Sequence, residues 1–403
     1  MKSERSGVLS AVRILGPAAV LVFALAVGFL PRAGGQPLPF DGPWVFVANT
    51  QDDSISVIYL PSRFNYATLS LTCPSGSSSR CEPFGLALSP RGDRLYVSNS
   101  AADSVTVIDP ANLTVVATWS LGADGTVRTP RELAVSPDGS LLYVSNQAAG
   151  TVSILATDTG RVVAEPWVGN GPRGLGFLPD GRVVVANRDS DTVVLLDPNT
   201  HQVTASATLQ AGSQPVAVQV VGGPINRIYV LEQAANQLES FAFDLTRSTD
   251  PIPVGIGPAA IVYDPRVWRL YVACGSDNSI WQVDLPERSV KFTVFGPTQP
   301  NRFNSMAIYF GRSSEEAILV VTGANNQTYR NNLVGFVQIS DRNNPTSAET
   351  GNGPWGVVIF TRTAPTPSPS ASPTPGSTPS PSAAPCSDPT RRCLHLPILA
   401  RTP

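Results

Sequence analysis

PFGLALSPRGDRLYVSN, residues 83–99, returns as PRELAVSPDGSLLYVSN at residues 130–146, a match too long for chance. Degraded copies open at Pro172, Pro215, Pro258 and Phe303, so successive openings are 47, 42, 43, 43 and 45 residues apart. A period in the low-to-mid forties is that of a four-stranded propeller blade. In the copy from Pro130, a strand over Leu133–Val135 meets Pro137-Asp138-Gly139, whose proline and glycine set the dihedrals of a tight turn. A second strand over Leu142–Ser145 ends at Asn146 and a third follows over Val152–Leu155; Val115–Leu121 shows the fourth in the preceding unit. Val183–Ala186 and Val193–Leu196 are apolar at consecutive positions, where a sheet wetted on one face would alternate. Both faces of each sheet are therefore covered, as stacking around an axis requires.

Counting the units sharpens the expectation. The first region offers Trp44–Asn49, Ser54–Tyr59 and a further strand near Ala67–Thr72, but no opening strand. That strand stands at the far end, where Pro354-Trp355-Gly356 and the apolar run to Phe360 match the repeat opening. The expected fold is all-β, a seven-bladed propeller of four-stranded blades, its ring closed by a C-terminal innermost strand joining the N-terminal blade. An eight-bladed or open array is the alternative.

Outside residues 36–362 the composition changes. Residues 1–35 combine Lys2, Arg5 and Arg13 with an uncharged run over Ile14–Leu30, then Pro31 and the small residues Ala33 and Gly35. This is the layout of a secretory signal peptide, with an uncleaved anchor as the alternative. Residues 363–385, TAPTPSPSASPTPGSTPSPSAAP, cannot form a core and read as an extended polyproline-like linker. Residues 386–403 form a short tail, similar to the apolar Leu-Pro tails behind Pro/Ser/Thr linkers on some secreted bacterial proteins. The expected location is secreted or cell-surface, with membrane contact only through an uncleaved N-terminal segment or the tail.

Five cysteines in an exported chain permit two intramolecular bridges. Spacing suggests Cys73 with Cys81 and Cys386 with Cys393, and leaves Cys274 as a core thiol in an expected strand. The formal net charge of -2 gives no global field to hold a polyanion, so no nucleic-acid partner is expected. Two histidines, His201 and His395, rule out multi-histidine metal centres. GxSxG and HExxH are absent, and His201 stands in a turn after Pro198, so no catalytic residue is assigned and no metal or cofactor is expected.

At FVAN (46–49), YVSN (96–99 and 143–146) and VVAN (184–187), with Asp109 and Asp197 ending third strands, the chain resembles the YVTN family of β-propellers over about residues 43–360. That resemblance implies surface-layer-type proteins, lactonases or antibiotic lyases as relatives. The nitrous oxide reductase and haem d1 nitrite reductase propellers are excluded by the missing histidine and haem ligands. The Asn of each motif reads as a turn cap.

Residues flanking each opening proline lie where an outer strand crosses to the next innermost one, and so should rim the axial opening. They are Arg128, Arg131, Glu132, Arg173, Gln214, Arg302, Asn304 and Trp355. The set is rich in arginine and poor in carboxylate, which suits a carboxylate or sulfate ligand with Trp355 stacking, and suits a divalent metal badly. The competing reading has the arginines paired with loop acids such as Asp189, Asp191 and Asp277, and Trp355 filling the closing blade. Two functions stay open: a monomeric, non-enzymatic module binding an extracellular or cell-envelope protein or carbohydrate, and a lactonase or lyase working at the axial mouth. Residues 61–80 and 325–332 depart from the repeat and are expected to be long loops suited to partner contact.

Overall fold

The computed structural model describes residues 38–361, apart from 40–41, 74–79, 123–124, 249, 286, 295–301, 311–316, 325–332, 339–340 and 351–353. The expected leader, linker and tail therefore lie outside the described residues, as do Cys386, Cys393 and the 325–332 loop. Among the described residues the regular structure is all strand, in seven four-stranded antiparallel sheets. Numbered along the chain, blades 2 to 7 place at the axis the strands Pro83–Leu88, Pro130–Val135, Pro172–Phe177, Pro215–Val221, Pro258–Asp264 and Arg302–Phe310.

Blade 1 is made from both ends of the propeller. Its innermost strand is Pro354–Thr361, followed outward by Pro43–Asn49, Ser54–Tyr59 and Phe64–Ser70. Trp44 faces Phe360, Val45 faces Ile359, Phe46 faces Val358 and Val47 faces Val357 across the closing pair. The ring closes through the C-terminal strand, as the repeat count implies. The outer strand begins three residues earlier than the sequence suggests and takes up part of the expected 61–80 loop. A Cys73–Cys81 disulfide, with Cα atoms 5.4 Å apart, spans the remainder.

The consecutive apolar runs follow from stacking. Along Pro43–Asn49, Trp44, Phe46 and Ala48 pack toward blade 2 with Leu86, Leu95 and Val97, whereas Val45 and Val47 pack toward blade 7 with Val320, Val334 and Phe336. Every strand of this kind has a neighbour on each face, so alternation disappears. Seven such apolar clusters fill the seven blade interfaces.

The YVTN-type asparagines do something other than cap a turn. Asn49, Asn99, Asn146 and Asn187 end their second strands fully buried. Asn99 Nδ2 donates to Ser104 Oγ at 3.0 Å and to Thr106 Oγ1 at 2.9 Å, and Asn49 and Asn146 repeat this with Ser54 and Ser56, Thr151 and Ser153. They pin the second strand to the third. The left-handed turn position falls four residues later, on Asp53 (φ 50°), Asp103 (43°) and Asp191 (50°).

Those aspartates position the axial opening. Asp103 Oδ1 accepts from the backbone N–H of Arg128 at 3.1 Å and of Thr129 at 2.7 Å, where the chain crosses into blade 3. Asp53 does the same for Cys81 and Glu82, and Asp191 for Gly212 and Gln214. The residue before five of the opening prolines is itself left-handed: Glu82, Thr129, Gly171, Gln214 and Gly257 have φ between 50° and 65°. At Glu82, Thr129 and Gln214 this costly backbone turn is thus held by a charged acceptor. It aims the next residues at the axis.

Candidate functional site

The upper face, where the innermost strands begin, carries an aromatic and cationic cluster formed by residues directly after the opening prolines. Phe84, Arg131, Arg173 and Trp355 occupy that same position in blades 2, 3, 4 and 1. The Phe84 and Trp355 rings lie 4.6 Å apart between centroids. The Arg131 guanidinium carbon sits 4.4 Å over the Phe84 ring, and that of Arg173 lies 5.7 Å from Phe84 and 5.8 Å from Trp355. A desolvated cation–ring contact of this kind contributes about 1–2 kcal/mol and holds a guanidinium in place without neutralising it.

That last point sets the chemistry. Arg131 Nε donates to Gln147 Oε1 at 2.6 Å, a neutral acceptor. Neither Arg131 nor Arg173 has a carboxylate within ion-pair distance among the described residues. Burial pulls the Arg173 guanidinium down to about 10, with Glu132 acting the other way and Arg131 and Arg188 adding to the fall. Burial also lowers Arg131. Both remain cations at neutral pH. Arg173 lines the axial opening, and the Glu132 carboxyl acts on both guanidinium groups from within it.

Below them runs the axial cavity, about 210 Å3, lined by innermost strands of all seven blades. Most lining residues are small or apolar, including Ala217, Ala260, Val218 and Val357, yet polar atoms make up most of the accessible wall. The polar side chains are Glu132, Arg173, Asn304 and Ser305. Glu132 is deep within this lining, and loss of water raises its carboxyl above the ordinary carboxylate range despite opposing pulls from Arg173 and Arg131. Asn304 Nδ2 donates to the Pro354 carbonyl at 3.2 Å, tying blade 7 to the closing strand. Thr322 Oγ1 donates likewise to the Trp355 carbonyl. Gly356 lets that strand pass, since a Cβ there would run into the Phe84 carbonyl oxygen.

The remaining candidates separate from this cluster. Arg128 belongs to a crossover, buried in a two-pronged pair with Glu165 at 2.9 and 3.1 Å, and does not rim the cavity. Its position before the proline, on the outer side of the left-handed turn, sends its side chain away from the axis. Gln214 Oε1 accepts from Arg188 Nη2 at 3.0 Å on the upper face, outside the cavity lining. Arg302 pairs through its backbone with Ala324, and its side chain is outside the described residues. Of the acids suggested as arginine partners, Asp189 pairs with Arg188 at 2.7 Å, while Asp191 and Asp277 accept crossover backbone N–H groups. The sequence reading omits Phe84, although it shares the repeat position of Arg131, Arg173 and Trp355. Aligning the residue after each opening proline finds it.

No group of three or more His, Cys, Asp and Glu side chains with metal-holding geometry occurs among the described residues. Cys274 is buried, its thiol pushed up to about 12 by loss of water, so it is not poised as a nucleophile. His201 lies in the blade 4 hairpin at φ 58°, its N–H bonded to the Asp197 carbonyl, far along the chain path from the upper face.

Repeat, ring and axial cavity together make the chain a seven-bladed β-propeller. Residues 31–164 match the model of the family Lactonase, 7-bladed beta-propeller. A search of curated proteins returns no match. Among solved structures, the chain is similar to a catalytically inactive His-to-Ala virginiamycin B lyase from Staphylococcus aureus with quinupristin. The identity is 15%, covering 76% of this chain and 88% of that one, with a TM-score of 0.56. It is also similar to Kuenenia stuttgartiensis hydrazine synthase at 17% identity, 72% and 99% coverage and a TM-score of 0.59. A functionally unknown protein from Desulfotomaculum acetoxidans matches at 12%, 79% and 98%, with a TM-score of 0.61. At these identities the likeness is one of fold.

Proposed function

We propose that the protein is an exported binding module whose upper axial mouth takes a carboxylate-bearing ligand from the cell surface or its surroundings. The observation that carries this reading is the pair Arg131 and Arg173, stacked on Phe84 and Trp355 with no carboxylate partner among the described residues. Two guanidinium forks fixed beside an aromatic face match a planar anion on a ring, and the rings spare the arginines an internal ion pair. Export, and display on the 363–385 linker, rest on the sequence of the two chain ends.

Calorimetric titration with D-galacturonate and with neutral D-galactose tests the proposal. The acid binds, the neutral sugar binds at least tenfold more weakly, and Arg173→Gln removes most of the difference. Equal titration of both sugars, or an unchanged Arg173→Gln protein, contradicts it.

A second reading is lactonase or lyase chemistry at the same mouth, favoured by the Lactonase match over residues 31–164 and by Glu132, an acid whose carboxyl is raised by burial against the pull of Arg173. The Staphylococcus aureus lyase is catalytically inactive as a His-to-Ala variant, and this chain's two histidines are His201, in an outer hairpin, and His395. Glu132 would then have to supply the proton alone. Acid release from a sugar lactone, abolished in Glu132→Gln, would favour this reading over binding.

A further inference from the structure

Beside the axial mouth, between blades 3 and 4, runs a crevice of about 490 Å3. Arg131 stands at its inner end, and Thr129, Gln147, Asn170 and Asp189 offer hydroxyl, amide and carboxylate groups along it. Gly150 forms part of the wall, and the Trp167 indole lies against it: a Cβ on Gly150 would come within 3.0 Å of Trp167 Nε1. Trp167 is 65% exposed, on the crossover leading into blade 4. An indole this exposed forgoes much of the burial that a large apolar side chain ordinarily gains. The bidentate Arg128–Glu165 pair fixes the backbone beneath it.

Resting on the reading of the mouth as a carboxylate site, we infer that the ligand is an acidic oligosaccharide. One uronate lies at Arg131, Arg173 and the Phe84–Trp355 rings, and further sugars run along the blade 3–4 crevice to stack on Trp167. Two features favour a saccharide over an acidic peptide. Donors and acceptors are closely mixed along the crevice, as adjacent ring hydroxyls require. A flat, exposed indole beside its Gly150 wall suits the C–H face of a pyranose.

The test compares galacturonate, trigalacturonate and triglutamate on the full chain and on Trp167→Ala, whose exposed position predicts an unchanged melting temperature. Trigalacturonate is expected to bind at least tenfold more tightly than galacturonate to the unaltered protein, with that ratio falling to near one in Trp167→Ala. A ratio near one in the unaltered protein, with galacturonate still bound, overturns the extended site and leaves the mouth. Failure of every acid to bind overturns the mouth reading itself. A Trp167-dependent preference for triglutamate equal to that for trigalacturonate overturns the saccharide assignment.

Discussion

Single residues in this propeller carry two distinct acid effects. Glu132 faces the axial cavity, and burial raises its carboxyl while the nearby arginines oppose the shift. When it ionises it offsets part of the arginine charge. Galacturonate, itself ionised above about pH 4, should therefore bind more tightly as pH falls through the raised Glu132 range. Glu132→Gln should bind more tightly at neutral pH and lose that dependence; parallel pH profiles for both proteins would contradict the assignment.

The second acid effect is structural. In blade 5, Glu232 replaces the buried asparagine and Glu239 the hydroxyl it would meet. Both carboxyls are at most 1% exposed. Gln237 Nε2 donates to Glu232 at 3.0 Å, and Arg247 Nε lies 2.7 Å from Glu239. Burial first, then the neighbouring Glu232, raises Glu239 to about 7 against the pull of Arg247. The folded state thus holds a proton that the unfolded chain releases near its ordinary carboxyl range. Its contribution is fully present below about pH 4.5 and is lost as pH rises through about 7. Glu239→Gln supplies a permanent donor, so its melting temperature should fall less than that of the unaltered protein between pH 5 and pH 8. Equal falls would show that the pair shares no proton.

At the scale of strands and turns, the crossover aspartates decide where the mouth residues point. Asp103 combines a left-handed backbone with two accepted N–H bonds from the chain entering blade 3. Asp103→Ala loses both bonds and keeps the strain, which should cost about 2–4 kcal/mol. Asp103→Asn should cost about 1 kcal/mol or less, because asparagine tolerates the turn and retains an oxygen. Asn236 already plays that part in blade 5, accepting from Gly257 N–H at 2.8 Å. Denaturant unfolding distinguishes the two, and equal losses would remove the acceptor from the account.

The same elements explain what could be read in advance. Repeat period, opening prolines and the displaced last strand are local patterns, and each is visible in PFGLALSPRGDRLYVSN and its copies. The fate of an arginine is a question of geometry. Arg128 and Arg131 flank one proline, yet a left-handed residue between them sends the first into an ion pair with Glu165 and the second onto Phe84. Glu165 lies 37 residues from its partner, beyond any spacing rule. The asparagine misreading has a similar origin: its bonding partners, five and seven residues on, become neighbours only once the hairpin forms.

For the whole molecule, closure and function depend on one strand. Pro354–Thr361 pairs with Pro43–Asn49, packs Phe360 on Phe46 and Val357 into the interface with blade 7, and delivers Trp355 to Phe84. Burying its apolar side chains is worth about 1.5–3 kcal/mol each, against a typical net stability of about 5–15 kcal/mol. The most direct measurement sets a chain stopped after Gly353 beside one stopped after Arg362, following thermal unfolding and galacturonate binding in both. The longer chain should melt cooperatively and bind the acid, whereas the shorter should aggregate or melt far lower and lose binding. Equal melting temperatures with binding retained would contradict both the closed ring and the mouth built on it.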